Sequence, residues 1–264
     1  IRPPHVLPVL VFAGQSNMVG WLSSVDDLTS AQKQTQPNVL FFGPNETGST
    51  WGGLMPPTVY MTNGVGFNKG FGPEISTGLV LTQLPGFGLV AEVKYAETGT
   101  DLDYWWDPDE PNRTYDRMMD RVDDALAAIA LAYPDRSVYV AGFFWMQGEA
   151  DALNNNNIAL AYEANLTHFI ERVRADFGDP DLPFVLGQIL GGHHEAGIVR
   201  AAQASVAAQV PNVRLVLTDD LPHEADPGLH FTSAGIYTLG ERFGTAFAVL
   251  AILTQRVYLP VVSQ

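Results

Sequence analysis

The first apolar run, Val9 to Phe12, ends abruptly in FAGQSNMVGW, residues 12–21. A hydroxyl, Ser16, sits there between two amides, Gln15 and Asn17. Parallel α/β sheets bind ligands beyond the carboxyl ends of their strands, and Gly14 lets the chain turn sharply at that point. A serine hydroxyl becomes a nucleophile beside a base, and histidine can act as that base without a large pKa shift. The chain has six histidines. His5 lies near the first residue, His168 inside a helical pattern, and His193 and His194 in a Gly-rich turn with Glu195. His223 and His230 remain. His230 is favoured because it stands between a carboxylate, Asp226, and the start of a helix, in DPGLHFTSAGIYTLGERF, residues 226–243.

Two further stretches offer donors for a developing oxyanion. FWMQGEAD, residues 144–151, follows another buried strand and should project on the same sheet edge as Ser16. The Gln147 amide is a neutral donor suited to an oxyanion, while Glu149 is read as a residue that pins loops together. In FGPEIS, residues 71–76, the Gly72 N–H lies at a helix start, where free backbone donors face anions. His193, His194 and Glu195 raise a metal-dependent alternative, but adjacent residues rarely both bind one ion, so a loop is expected there.

The elements that must carry these groups alternate. Short apolar runs at Val9–Ala13, Val39–Phe42, Leu89–Ala96, Val138–Trp145, Phe184–Ile189 and Val213–Leu217 read as strands buried on both faces. Helical patterns cover about 73–84, 114–132, 157–177, 195–209 and 232–253. In the second, Met118, Val122, Leu126 and Ile129 share one face. Strand–helix alternation predicts an α/β three-layer sandwich with a mostly parallel central sheet, in one domain over 1–264. Residues 43–71, with Trp51, Met55 and Phe67 embedded, read as a long packed loop, and 256–264 as an extended tail.

Composition narrows the function classes. With 29 Asp+Glu against 14 Lys+Arg, the formal net charge is −15, which repels phosphate backbones and argues against nucleic acid as a partner. No membrane association is expected, and the apolar run 245–254 reads as part of a core helix. There is no cysteine, which excludes disulfides and thiolate catalysis. The first residues show no secretory signal pattern and start without Met, as a mature or a trimmed chain does; a secreted or extracytoplasmic location is the expectation.

GQSNM, WMQGEAD and a C-terminal Asp–His pair before a helix resemble the SGNH hydrolase superfamily. Within it they resemble carbohydrate esterase family 6 and the related sialate O-acetylesterase domain. VKYAETGTDLDYWWDP, residues 93–108, is similar to that family's K-A-x-G-G-T stretch, with Thr98-Gly99 in place of two glycines. The resemblance runs from residue 12 to about 243 and implies a flavodoxin-like sandwich and a serine esterase. It implies Ser16 as nucleophile, His230 as base, and Ser16 N–H, Gly72 N–H and Gln147 as the oxyanion hole. Asp226 is the expected acid, although Asp226 to His230 is one residue longer than the family's Asp-x-x-His; Glu224 and Asp220 are the rivals, and a dyad helped only by a backbone carbonyl is the remaining alternative. Gln15, Asn17, Glu149 and Trp105 are supporting or substrate-binding candidates. Trp21, Trp51, Trp105 and Trp106 are candidate sugar platforms, of which at least two should be core. The implied activity is removal of O-acetyl groups from carbohydrate, acetylxylan-type first, with no metal or organic cofactor. A sialate O-acetylesterase, a lipase- or thioesterase-like hydrolase and a non-catalytic carbohydrate-binding module are the alternatives.

Overall fold

β1 (Val6–Gly14) runs through the interior of a seven-stranded sheet with parallel partners on both sides. The others are β2 (Gln36–Asn45), β3 (Gly48–Leu54), β4 (Val90–Ala96), β5 (Ser137–Met146), β6 (Phe184–Gly187) and β7 (Val213–Val216), in the order β3-β2-β4-β1-β5-β6-β7. All pairings are parallel except β2 with β3. This computed structural model describes residues 6–45, 48–58, 69–85, 87–192, 194–225 and 228–253.

Side-chain alternation along β5 explains the three layers. Phe143 and Trp145 point to one face and meet Phe169 of α5 (Asn156–Asp176). Gly142 and Phe144 point to the other and meet Phe243 and Phe247 of α7 (Ser233–Leu253). α3 (Thr114–Ala132) joins the first face through Tyr115 against Phe169. α2 (Glu74–Thr82) packs on α7, where Gly240 and Gly244 lie against Pro73 and Thr77. α6 (Ala196–Gln209) sits beside α5. α7 is long and apolar enough to cross a membrane by length and composition, yet its apolar window is 56% buried here, as in a core helix.

The expected α/β sandwich is the observed fold. Residues 43–71 depart from the expected loop: β3 forms an antiparallel hairpin with β2 at the sheet edge. Gly48-Ser49-Thr50-Trp51-Gly52-Gly53 lacks the apolar run of a central strand, because an edge strand buries little of its surface. Trp51 packs on Phe42 and donates to the Ala125 carbonyl at 2.9 Å. Phe67 and the 256–264 tail lie outside the described residues. Two short helices follow strand ends, α1 (Ser16–Val19) and α4 (Glu149–Asn154); one or two turns display no periodicity in the sequence.

β1 hands the chain to α1 through Gly14, whose φ is +149°. A Cβ there would lie 2.0 Å from the Met146 carbonyl oxygen. Gly14→Ala should therefore cost at least about 2 kcal/mol, as overpacking and backbone strain combine. Urea unfolding checks this; an unchanged midpoint would show that β1 and β5 do not approach so closely.

Candidate active site

Ser16 opens α1 directly after β1. Its hydroxyl lies 3.0 Å from Nε2 of His230, a residue 214 positions away. His230 belongs to an irregular loop before α7, closed where the Glu224 N–H donates to the His230 carbonyl at 2.9 Å. Glu224 also faces the imidazole, with Oε1 3.0 Å from Nδ1. The same oxygen accepts the N–H groups of Leu229 at 3.2 Å and His230 at 3.0 Å. One carboxylate thus orients both ring and backbone.

That carboxylate belongs to Glu224. Asp226 lies outside the described residues. Asp220 is turned to the surface, where Arg242 pairs with it at 2.6 Å. His223, the rival base, has its Nδ1 2.9 Å from the Leu221 carbonyl. His193 lies outside the described residues, and His194 and Glu195 stand at the beginning of α6.

Asn17 sets the loop against α1. Its Nδ2 donates to Glu149 Oε1 at 2.6 Å and to the Leu229 carbonyl at 2.9 Å, while its Oδ1 accepts the Phe231 N–H at 3.0 Å. The last two bonds bracket His230. Gln15 reaches the other wall, where its Oε1 accepts N–H groups from Gly148 at 3.4 Å and Ala150 at 3.2 Å. Its NH₂ end has no partner among the described residues.

Two expected oxyanion donors are occupied elsewhere. Gly72 lies behind α1, and its N–H donates to Glu74 Oε1 at 3.0 Å. Gln147 is fully buried; its amide hydrogens go to the Thr100 carbonyl at 2.9 Å and to Asp151 Oδ2 at 2.5 Å. Gln147 thereby holds the loop after β4, because a buried amide takes the nearest acceptors. That loop brings Thr98 and Gly99 to the cleft. Gly99 has φ +72°, and its N–H has no partner among the described residues. The K-A-x-G-G-T-like stretch is the sequence signal for this backbone N–H at the cleft.

Ser16 and His230 line a cleft of about 400 Å³, with Trp21, Gly99, Ala150, Leu153 and Leu229 among its walls. No Lys or Arg lines it among the described residues. Trp21 stands 6.4 Å from the imidazole, ring centre to ring centre. Trp106 is core, donating to Thr100 Oγ1. Trp105 is partly exposed beside Tyr104, outside the cleft lining.

A carbohydrate esterase, sialic acid-specific acetylesterase family model matches residues 6–249, nearly the whole chain. The chain belongs to that family. This esterase is accordingly a carboxylic ester hydrolase acting on carbohydrate. No curated protein matches it in sequence. Its fold is similar to that of a protein from Arabidopsis thaliana, at 22% identity and TM-score 0.75, covering 93% of this chain and 99% of that one. NanS is similar at 15% identity and TM-score 0.69, covering 97% and 100%. A carbohydrate acetylesterase from Xanthomonas citri is similar at 19% and 0.66, covering 93% of this chain and 56% of that one.

The acids at the start of α4 are unusual. Burial raises Glu149 to about 7, against a smaller lowering by the Asn17 hydrogen bond. Burial likewise raises Asp151 to about 7, opposed by bonds from Gln147 and the Leu102 N–H. A raised acid holds its proton in the folded state while the unfolded chain releases it. Stability is therefore highest below the ordinary carboxylate pKa and falls as pH climbs toward 7. Glu149→Gln removes one such group. From about pH 5 to about pH 8 the wild type should lose more stability to urea than the variant; parallel losses would contradict the burial argument.

Proposed function

We propose that the esterase removes O-acetyl groups from neutral carbohydrate, acetylxylan-type polysaccharide foremost, through an acetyl-enzyme on Ser16. The carrying observation is the Ser16–His230–Glu224 line, 3.0 Å at each step, at the wall of a small cleft. His230 Nε2 takes the hydroxyl proton as Ser16 Oγ bonds to the acetyl carbon. Glu224 holds the Nδ1 proton and steadies the imidazolium. The carbonyl oxygen becomes an oxyanion, received by N–H groups of Ser16 and Gly99 and by the Gln15 amide. Collapse breaks the ester bond, and the leaving sugar oxygen takes the proton from His230. Water then adds to the acetyl carbon, giving its proton to His230. Acetate leaves as the proton returns to Ser16 Oγ.

Two features support a neutral sugar. The net charge is −15, and among the described residues the cleft offers no cation to a substrate carboxylate. Trp21 and Leu153 present apolar surface on which sugar C–H faces can rest. The second reading, a sialate O-acetylesterase, is favoured by the family's own description. Acetate release decides between them: kcat/KM should be higher on acetylated xylan than on O-acetylated sialic acid, and the reverse order selects the second reading. Aryl ester turnover should fall from acetate to octanoate; a rise would mark a lipase-like site.

Ser16→Ala should lower kcat on aryl acetate by at least about 10³-fold. Glu224→Gln should cost more activity than Asp226→Asn. Full activity in Ser16→Ala, or a larger loss in Asp226→Asn, would refute the corresponding assignment.

A further inference from the structure

We propose that the buried Glu74–Lys94 ion pair is a positioning device for the nucleophile, fixing the backbone seat on which α1 rests. The proposal depends on Ser16 being the nucleophile. α1 is one turn of helix, and Gln15 gives it no side-chain cap. So short a helix has no stability of its own, so its place must be set by its surroundings.

Those surroundings are the turn at 70–73, GFGP, whose Gly72 does not line the cleft. A Cβ on Gly20, which ends α1, would stand 1.8 Å from the Phe71 carbonyl oxygen, and one on Gly72 would stand 2.4 Å from that of Met18. The two backbones are thus in direct contact. Ser23, just past α1, locks them together: its hydroxyl accepts the Phe71 N–H at 2.7 Å and lies 2.6 Å from the Phe71 carbonyl oxygen.

A single oxygen holds this turn. Glu74 Oε1 accepts the Gly72 N–H at 3.0 Å, the Lys94 ammonium at 2.6 Å and the Thr58 hydroxyl. Thr58 also donates its N–H to Gly70 at 3.1 Å, so both ends of the turn are tied. Lys94 pairs in register with Phe12 of β1, the strand that delivers Ser16. Both charged side chains are at most 1% exposed, so water does not screen the pair. Glu92, equally buried on the same strand, has its pKa pushed well up, by burial first and by the nearby Glu74 charge second. Neither of its oxygens has a partner among the described residues. The Lys94 ammonium bonds to Glu74 and to neither Glu92 oxygen. None of these groups lines the cleft, so the pair acts through α1 and not on substrate.

Two double variants test this. Glu74→Leu/Lys94→Met removes the pair without stranding a lone buried charge. Glu74→Gln/Lys94→Met keeps an acceptor for the Gly72 N–H. The first should lower kcat on aryl acetate at least about tenfold with KM unchanged, because α1 carries Ser16 and, through Asn17, the loop of His230, the groups that act on the acetyl carbon. The second should recover most of that loss. If the first fails to fold, Ser23→Ala serves instead and should lower kcat about threefold or more, again with KM unchanged. Wild-type kcat in the Leu/Met or Ser23→Ala enzyme, or equal losses in the two doubles, would overturn the proposal. Ser16→Ala is assayed in parallel: if it stays active, the nucleophile reading falls and the seat with it. If Ser16→Ala is inactive while the Leu/Met enzyme is unimpaired, only the seat falls.

Discussion

The amide of Asn17 is where the two halves of the site are joined. Its NH₂ reaches the Leu229 carbonyl and its oxygen the Phe231 N–H, across 212 and 214 positions of sequence. His230 lies between those two residues in a loop without helix or strand, so no regular element holds that stretch in place. The amide supplies what regular structure would otherwise supply. Glu224 adds the second constraint by accepting from the ring and from two backbone N–H groups of that loop. A hydroxyl and an imidazole meet at 3.0 Å because the peptide units beside each are fixed first.

The same economy shapes the opposite wall. α4 starts where β5 ends, and its two acids each brace one side of the cleft. Glu149 accepts from Asn17 and so backs the His230 loop. Asp151 accepts from Leu102 and Gln147, and Gln147 donates to Thr100, which secures the loop carrying Thr98 and Gly99. Both acids are buried, and burying them disfavours the charged form. These bonds brace the cleft at some expense in stability at neutral pH, because both acids are buried.

Local signals carried much of this. Alternation of apolar runs and helical patterns was enough for the sandwich, because each strand of a covered parallel sheet shows its burial in its own residues. Ser16 and His230 stood out through their immediate neighbours: a turn after a core strand, and a residue before a helix. What depended on distant partners was less legible. The Gly-Pro signature at 72–73 correctly announced a helix, but where that helix sits is decided by α2 packing on α7 through Gly240 and Gly244. Gln147 was recognisable as a buried amide, yet its acceptors come from a loop 47 positions away and from the next turn of its own segment. The acid that faces His230 follows from how the 224–230 loop closes, which the Asp-to-His spacing does not encode. The β3 edge strand left almost no apolar trace.

The most direct measurement of the central claim is covalent labelling by a small serine-directed phosphonate, followed by peptide mass mapping in the wild type and in His230→Ala. The wild type should take up one phosphonyl group, on the peptide containing residues 12–21, and the His230→Ala protein should label at least about 10²-fold more slowly. A label on another residue, or equal labelling rates in the two proteins, would contradict a nucleophile at Ser16 activated by His230.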